Sequence, residues 1–342
     1  MNSRTAIDLF CGAGGLTQGL KQAGFGIIGA VEKEPVFAET YSLNHPEVAL
    51  HVGDIQQLDP HCYMQKLGLQ PQELDLLAGC PPCQGFSTIG TRNRGNKNDE
   101  RNDLVFQLLR FASVFLPKTI MMENVPALAN DSRLKRLVKE LEELGYICTV
   151  RVLNTLDFGV PQSRRRMLLL ASKKTEVLVE APSEQSVKRQ TVRTTIGDMP
   201  KPGESGDILH DYPEHHSNSV MRRIKLIPHD GGSRDALPEQ YQLECHRHTT
   251  GFRNVYGRMW WDKPAPTITG GCTNPSKGRF LHPDQDRAIT MREAALLQTF
   301  PKDYQFSMKH GKQGVSTMIG NALPPRFIEL QAKVLLHALD LT

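Results

Sequence analysis

Residues 5–15 read TAIDLFCGAGG, a short apolar run that empties into three glycines at Gly12, Gly14 and Gly15. The LTQGLKQA that follows (16–23) has helical spacing, so the stretch predicts a strand, a tight turn and a helix. A turn stripped of side chains lets a ligand approach the backbone and the helix N-terminus. One such unit is the opening of an α/β layer fold, and the test is whether the pattern repeats downstream.

It does. Strand patterns recur at 26–32 (GIIGAVE), 74–79 (LDLLAG), 118–124 (KTIMMEN), 147–153 (ICTVRVL) and 166–172 (RMLLLAS). Helical spacing fills 15–23, 35–44, 103–116 and 132–144. This alternation predicts a doubly wound, mostly parallel sheet with helices on both faces, a Rossmann-like α/β fold. After Lys173 the texture changes to Pro, Gly, His, Arg and Thr, which predicts a smaller second domain of loops and short β structure. A last helical stretch, Pro325 to Leu339, has the spacing of a helix packing back onto the first domain. The expected boundaries are 1–173, 174–290 and 291–342.

Bulk composition sets outer limits. With 342 residues, 39% hydrophobic and 23% charged, the chain can build a sizeable core. No run of eighteen apolar residues occurs, and the sequence enters a strand almost at once, so neither a membrane span nor a signal peptide is expected. The net charge of +4 permits a nucleic-acid partner without arguing for one. Seven cysteines, an odd number, read as reduced thiols.

In a doubly wound sheet, ligands sit outside the carboxyl ends of the strands, and the unusual residues fall there. Glu32 ends the second strand, twenty residues after Gly12, where a carboxylate can grip ribose hydroxyls. That pair says nucleoside cofactor; it fits NAD as well as an adenosine sulfonium. In GCPPCQGFS (79–87), Cys80 and Cys83 form C-x-x-C. A zinc half-site, a redox pair and a lone nucleophilic thiolate at Cys83 all compete, as does a plain buried thiol for either cysteine. Residues 84–101 read as a lid or a polar surface loop with four basic residues. Glu123, in ENVP, closes an apolar strand, where burial would raise its pKa and make it an acid near neutral pH; a helix-capping carboxylate is the alternative. In QSRRRM (162–167), alternation should send Arg164 and Arg166 to one side and Arg165 to the other.

These motifs together resemble the cytosine-C5 DNA methyltransferases of bacterial restriction-modification systems. The likeness covers nearly the whole chain: DLFCGAGG, Glu32, GDI (53–55), PPCQGFS, ENVP, QSRRRM, PAPTIT (264–269) and GNALPP (320–325), in order. PPCQ and ENV are the most specific of them. The resemblance implies a class I methyltransferase fold and transfer of a methyl group from S-adenosylmethionine to C5 of a cytosine flipped out of double-stranded DNA. S-adenosylhomocysteine is then the product and no metal takes part. It assigns catalysis to Cys83, Glu123, Arg166 and Arg164. It assigns the cofactor to Phe10, Gly12, Ala13, Gly14, Gly15, Glu32, Asp54, Ile55, Pro82, Leu104, Asn321 and Ala322. DNA contacts fall on Gln84, Ser87, Arg92, Arg94, Arg222, Arg223, Arg253 and Arg258, the last four in the target-recognition region 174–290.

Further expectations follow from the resemblance and the compact chain: a prokaryotic, cytoplasmic, nucleoid-associated monomer with a paired restriction endonuclease. Six histidines between His210 and His248 lack metal-ligand spacing, and Trp260 with Trp261 reads as core. The nearest rival is the same chemistry on tRNA; the long recognition region, and the absence of the Cys-Phe-Thr tripeptide of the RNA-directed branch, argue against it. An NAD-dependent oxidoreductase leaves Cys83, Glu123 and the arginines without roles. A non-enzymatic DNA-binding regulator leaves a full catalytic set unexplained.

Overall fold

A computed structural model of the protein describes residues 4–82, 103–178, 188–244 and 254–340. The chain divides into two compact units, one of residues 1–158, 165–186 and 323–342, the other of 159–164 and 187–322. These do not coincide with the sequence boundaries. The C-terminal segment joins the first unit from 323 rather than 291, because the helical stretches at 291–297 and 311–321 pack within the second.

In the first unit, strands β1 (Thr5–Leu9), β2 (Gly26–Glu32), β3 (Ala49–Val52), β4 (Leu76–Gly79), β5 (Thr119–Asn124), β6 (Ile147–Asn154) and β7 (Arg165–Ser172) form one sheet. Its order is β3-β2-β1-β4-β5-β7-β6. The first five strands are mutually parallel, whereas β7 runs antiparallel to both neighbours. Only the short stretch 155–164 joins β6 to β7, too short for the helical crossover that a parallel pair requires. The strand order reverses direction between β1 and β4, which opens a crevice at their carboxyl ends.

Helices α1 (Gly15–Ala23), α2 (Pro35–Asn44), α3 (Pro60–Lys66), α4 (Val105–Phe115) and α5 (Ser132–Glu143) flank the sheet. Gly14 caps α1 at φ 90° and Gly24 ends it at φ 113°, both left-handed positions where glycine avoids a Cβ clash. Asp59 and Asp131 cap α3 and α5 by accepting from Cys62 and Arg133 backbone N–H groups. Ile7, Leu9, Leu77, Ile120, Met122, Met167 and Leu169 cover one sheet face and pack against Tyr63, Leu108, Phe111, Leu137 and Leu141 from α3, α4 and α5. Alternation turns Asp8, Glu123 and Arg166 to the other face. Two elements escaped sequence reading, β3 and α3. Strand β3 is a four-residue edge strand with Val52 half exposed, so it carries no apolar run to notice.

The second unit departs from the expected short β structure. Its described residues form helices α6 (Val192–Ile196), α7 (Ile208–Asp211), α8 (Asn218–Leu226), α9 (Met291–Leu297) and α10 (Gly311–Asn321), with isolated bridges such as Arg258–Leu281. Helices as short as four or five residues, little more than one turn, leave no period to detect in sequence. Helix α11 (Pro325–Asp340) returns to the first unit, where Gly19 of α1 lets it approach: a Cβ there would stand 2.5 Å from the Pro325 carbonyl.

Candidate active site

The carboxyl edge of the sheet gathers the predicted loops of the first unit. At the end of β1, Phe10 sits at φ 63°, a left-handed conformation that costs a bulky residue roughly 1 kcal/mol or more. Gly12 follows at φ 55° with open space where a Cβ would stand. Ala13, Gly14 and Gly15 are buried behind it. Glu32 accepts from the Gly12 N–H at 2.8 Å and the Glu34 N–H at 2.7 Å, so it braces the glycine turn as well as facing the loop edge. Burial pushes its carboxyl up, and those backbone donors oppose the shift. Asp54 caps Gln56 and pairs with Lys33, which holds its carboxyl below the usual range. Ile55 is buried, Leu104 half-buried and Pro82 exposed.

Beneath the turn lies Asp8, which is fully buried. A relay of hydroxyls reaches it: Thr17 Oγ1 donates to Asp8 Oδ2 at 2.7 Å and lies 2.9 Å from the Tyr41 hydroxyl. Burial pushes the Asp8 carboxyl up to about 7, against the Thr17 bonds, with Glu32 adding to the rise. An Asp in an unfolded chain titrates near 4, so the folded state alone holds this proton between about pH 4 and pH 7. The resulting stabilisation is fully present below about pH 4, falls as pH rises, and is lost above about pH 7; its full size is roughly 4 kcal/mol. Asp8→Asn should therefore gain in thermal stability relative to the unaltered protein between pH 5 and pH 8. A difference in melting temperature that stays constant across that range would show that Asp8 does not titrate there.

Opposite the glycine turn, β5 ends in Glu123 and Asn124, both buried. Because β7 runs antiparallel, its first residues meet the last residues of β5, with Glu123 opposite Leu168 and Asn124 opposite Met167. Arg166, two residues before Leu168, therefore lies diagonally across from Glu123 on the same face. Its Nε stands 2.7 Å from Glu123 Oε1, an ion pair with 15% and 9% of the two side chains exposed. That pairing of the ENVP and QSRRRM motifs is a consequence of strand direction. Asn124, which sequence reasoning quoted but gave no role, donates to the Pro81 carbonyl at 3.0 Å and accepts from Val125 N–H. It ties the Pro81–Pro82 segment to β5. Cys80 is half-buried, and desolvation of its thiol, with Glu123 and Asp8 nearby, pushes it well up, so it stays protonated at neutral pH.

Not every expected residue stands free for a ligand. Cys83, Gln84, Ser87, Arg92, Arg94 and Arg253 lie outside the described residues. Arg164 is buried, and its guanidinium donates to the backbone carbonyls of Ile268 and Gly320, which corrects its assignment to a base or phosphate. Arg258 is likewise corrected: it is fully buried, and it donates to the carbonyls of Ile224, Ile227, His282 and Gln285 and to Asp286. Arg222 is exposed on α8 over the Tyr241 ring, and Arg223 is half-buried with Nε on the Tyr241 carbonyl. Asn321 is exposed at the end of α10, with Ala322 half-buried after it. Trp261 is buried and bonds Asp284, whereas Trp260 lies between the cations of Lys263 and Arg279, 4.3 and 4.2 Å from its ring. His210 is fixed between Thr290 and the Pro200 carbonyl. Among the described residues no group of three or more His, Cys, Asp or Glu could hold a metal, and no helix is long and apolar enough to cross a membrane.

Comparison with known proteins gives the family of the chain. The family model described as C-5 cytosine-specific DNA methylase matches residues 4–337. The type II methylase M.HgiDII of Herpetosiphon aurantiacus is 36% identical, over 98% of this chain and 95% of its own. The type II methyltransferase M1.HphI of Haemophilus parahaemolyticus is 34% identical, over 98% and 87%. Among solved structures, the S. pombe Dnmt2 methyltransferase superposes with a TM-score of 0.65 at 22% identity, covering 98% of this chain and 99% of its own; at that identity it speaks for the fold alone.

Proposed function

The chain belongs to the C-5 cytosine-specific DNA methylases, and from that premise we propose that it methylates C5 of a flipped-out cytosine in double-stranded DNA through a covalent bond from Cys83 to C6. DNA cytosine-5 methyltransferase activity is what the family and its type II members carry. The observation that carries the finer reading is the Glu123–Arg166 pair at the carboxyl edge of the sheet, beside a proline segment that leads directly into Cys83.

The family's methyl donor is S-adenosylmethionine, and the residues present fit it. Gly12 leaves open space at a left-handed turn, where a ligand can meet the backbone, and Glu32 stands at the neighbouring strand end. Phe10, Ala13, Gly14, Gly15, Asp54, Ile55, Pro82, Leu104, Asn321 and Ala322 would complete that site. The bound donor supplies an electrophilic methyl group on a sulfonium.

The chain's own groups do the rest. The base must leave the stack before any side chain can reach it. The Cys83 thiolate then adds to C6, forming the S–C bond and moving the ring electrons toward C5. Glu123 bonds N3 and the exocyclic amine and supplies the proton that neutralises the ring as this happens. Arg166 holds O2 and keeps the Glu123 carboxyl oriented. With the donor bound, C5 would receive its methyl group; the C5 proton then passes to water, Cys83 leaves as thiolate to restore the 5,6 double bond, and the N3 proton returns to Glu123. Cys80 is no substitute nucleophile, since its buried thiol resists ionisation. Arg222 and Arg223 would meet the phosphate backbone with the basic residues Arg92, Arg94 and Arg253. By analogy with its type II relatives, we read the protein as acting with a paired restriction endonuclease, and we propose a cytoplasmic, nucleoid-associated monomer.

Tritium transfer from labelled donor to duplex DNA and to tRNA, with Cys83→Ser alongside, tests this. Label should enter DNA cytosine and vanish in the variant. Label confined to tRNA would replace the substrate, and an active Cys83→Ser would remove the nucleophile from the scheme.

A further inference from the structure

Three side chains that the proposed chemistry leaves idle meet at one buried node in the second unit. Gln298, fully buried one residue after α9, donates from Nε2 to the Ile319 carbonyl at 2.7 Å and to the Ala322 carbonyl at 3.3 Å. Its Oε1 accepts from Gln162 Nε2 at 2.8 Å. Gln162, also fully buried, accepts the Ile268 N–H at 2.8 Å. Arg164 donates to the Ile268 carbonyl at 2.9 Å and twice to the Gly320 carbonyl at 3.2 Å. Gly320 in turn lies flat on 269–270, where a Cβ would come within 2.1 Å of the Gly270 nitrogen.

Three carbonyls around Asn321 are thereby held from the side: Ile319 and Ala322 by Gln298, Gly320 by Arg164. A helix leaves its last carbonyls without partners inside the helix, and side-chain donors there fix where the chain exits. Here they fix an exposed residue, Asn321, between the buried Gly320 and the half-buried Ala322. Buried hydrogen-bond networks rigidify what they touch, and a site held to about half an ångström needs such a supporting layer.

We propose that Gln298 and Arg164 are positioning residues that preset Asn321 for the methyl donor, with Gln162 linking them. The proposal rests on the reading of Asn321 as a cofactor residue. It gives Arg164 a role in donor affinity in place of one in base or phosphate contact, and it adds Gln298, which no motif singled out.

The test is a double-mutant cycle read by calorimetric binding of S-adenosylhomocysteine, with the KM values for donor and DNA measured alongside. Asn321→Ala and Gln298→Leu should each weaken binding by about tenfold, equivalent to roughly 1.4 kcal/mol. The double variant should be no weaker than Asn321→Ala alone. Donor KM should rise while DNA KM stays unchanged. If Asn321→Ala binds normally, the assignment of Asn321 to the cofactor is wrong. If Asn321→Ala weakens binding but the two effects simply add, or Gln298→Leu has none, the positioning role is wrong. Should Gln298→Leu fail to fold, Arg164→Lys, which keeps the charge but cannot fork between Ile268 and Gly320, enters the same cycle. A change confined to DNA KM in Arg164→Lys would return that residue to phosphate contact.

Discussion

Glu123→Gln should lower kcat for methyl transfer by about a hundredfold to ten-thousandfold, the range that a positioned general acid supplies. The substitution keeps the shape of the side chain but removes an ionisable group, and with it the proton transfer of the protonated carboxyl and the charge that its ionised form sets opposite Arg166. At 2.7 Å, in a spot where less than a tenth of the Glu123 side chain is exposed, that charge also orients the guanidinium. An amide would leave Arg166 half-buried without its counter-charge, so its hold on O2 should slacken together with the loss of the acid. DNA binding should persist, since neither residue stands on the surface. The measurement is single-turnover tritium transfer at saturating donor and duplex, with duplex affinity measured in parallel. A kcat within threefold of the unaltered enzyme would remove Glu123 from the proton-transfer role and leave it a partner of Arg166 only.

The sheet was legible because its buried strands announce themselves. IMM in TIMMEN and MLLLA in RMLLLAS are unbroken apolar runs, as strands covered on both faces must carry. The catalytic edge was legible for a related reason: glycines, a proline pair and lone acids stand at the ends of those runs, where regular structure has no use for them. What sequence could not show was direction and partnership. Nothing in RMLLLAS says that it runs antiparallel, yet that reversal places Arg166 on Glu123. Asp8, Asn124 and Gln298 are single polar letters among apolar ones, and their roles depend on carbonyls and hydroxyls far along the chain. The second unit was the least readable, since most of its helices, at four to nine residues, give too few turns for a period to emerge.

Arg258 marks the limit of reading charge as function, and the expected cost of its loss is large. Arg258 is fully buried in the second unit, whose small core gathers Ile224, Ile227, Val255, Tyr256 and Leu281. Nε reaches the Ile227 carbonyl at 3.0 Å, one terminal nitrogen the carbonyls of His282 and Gln285, and the other the Ile224 carbonyl and Asp286. Two of those carbonyls end α8 and two belong to the loop at 282–285, so one side chain closes both segments. Arg258→Met keeps the length and apolar stem but strands four carbonyls, and truncating such a buried charged hub costs roughly 3–5 kcal/mol. For a protein of this size that corresponds to a melting-temperature fall on the order of 10 °C. Arg258→Lys should fare little better, because a single ammonium lacks the planar fork that spans four acceptors. A DNA-contacting arginine would behave in the opposite way. Its removal would leave melting unchanged and weaken duplex binding with a shallower dependence on salt. Melting curves for Arg258→Met, set beside duplex affinity at two salt concentrations, therefore separate a structural hub from a phosphate contact. An unshifted melt with weakened, less salt-sensitive binding would restore Arg258 to the DNA surface.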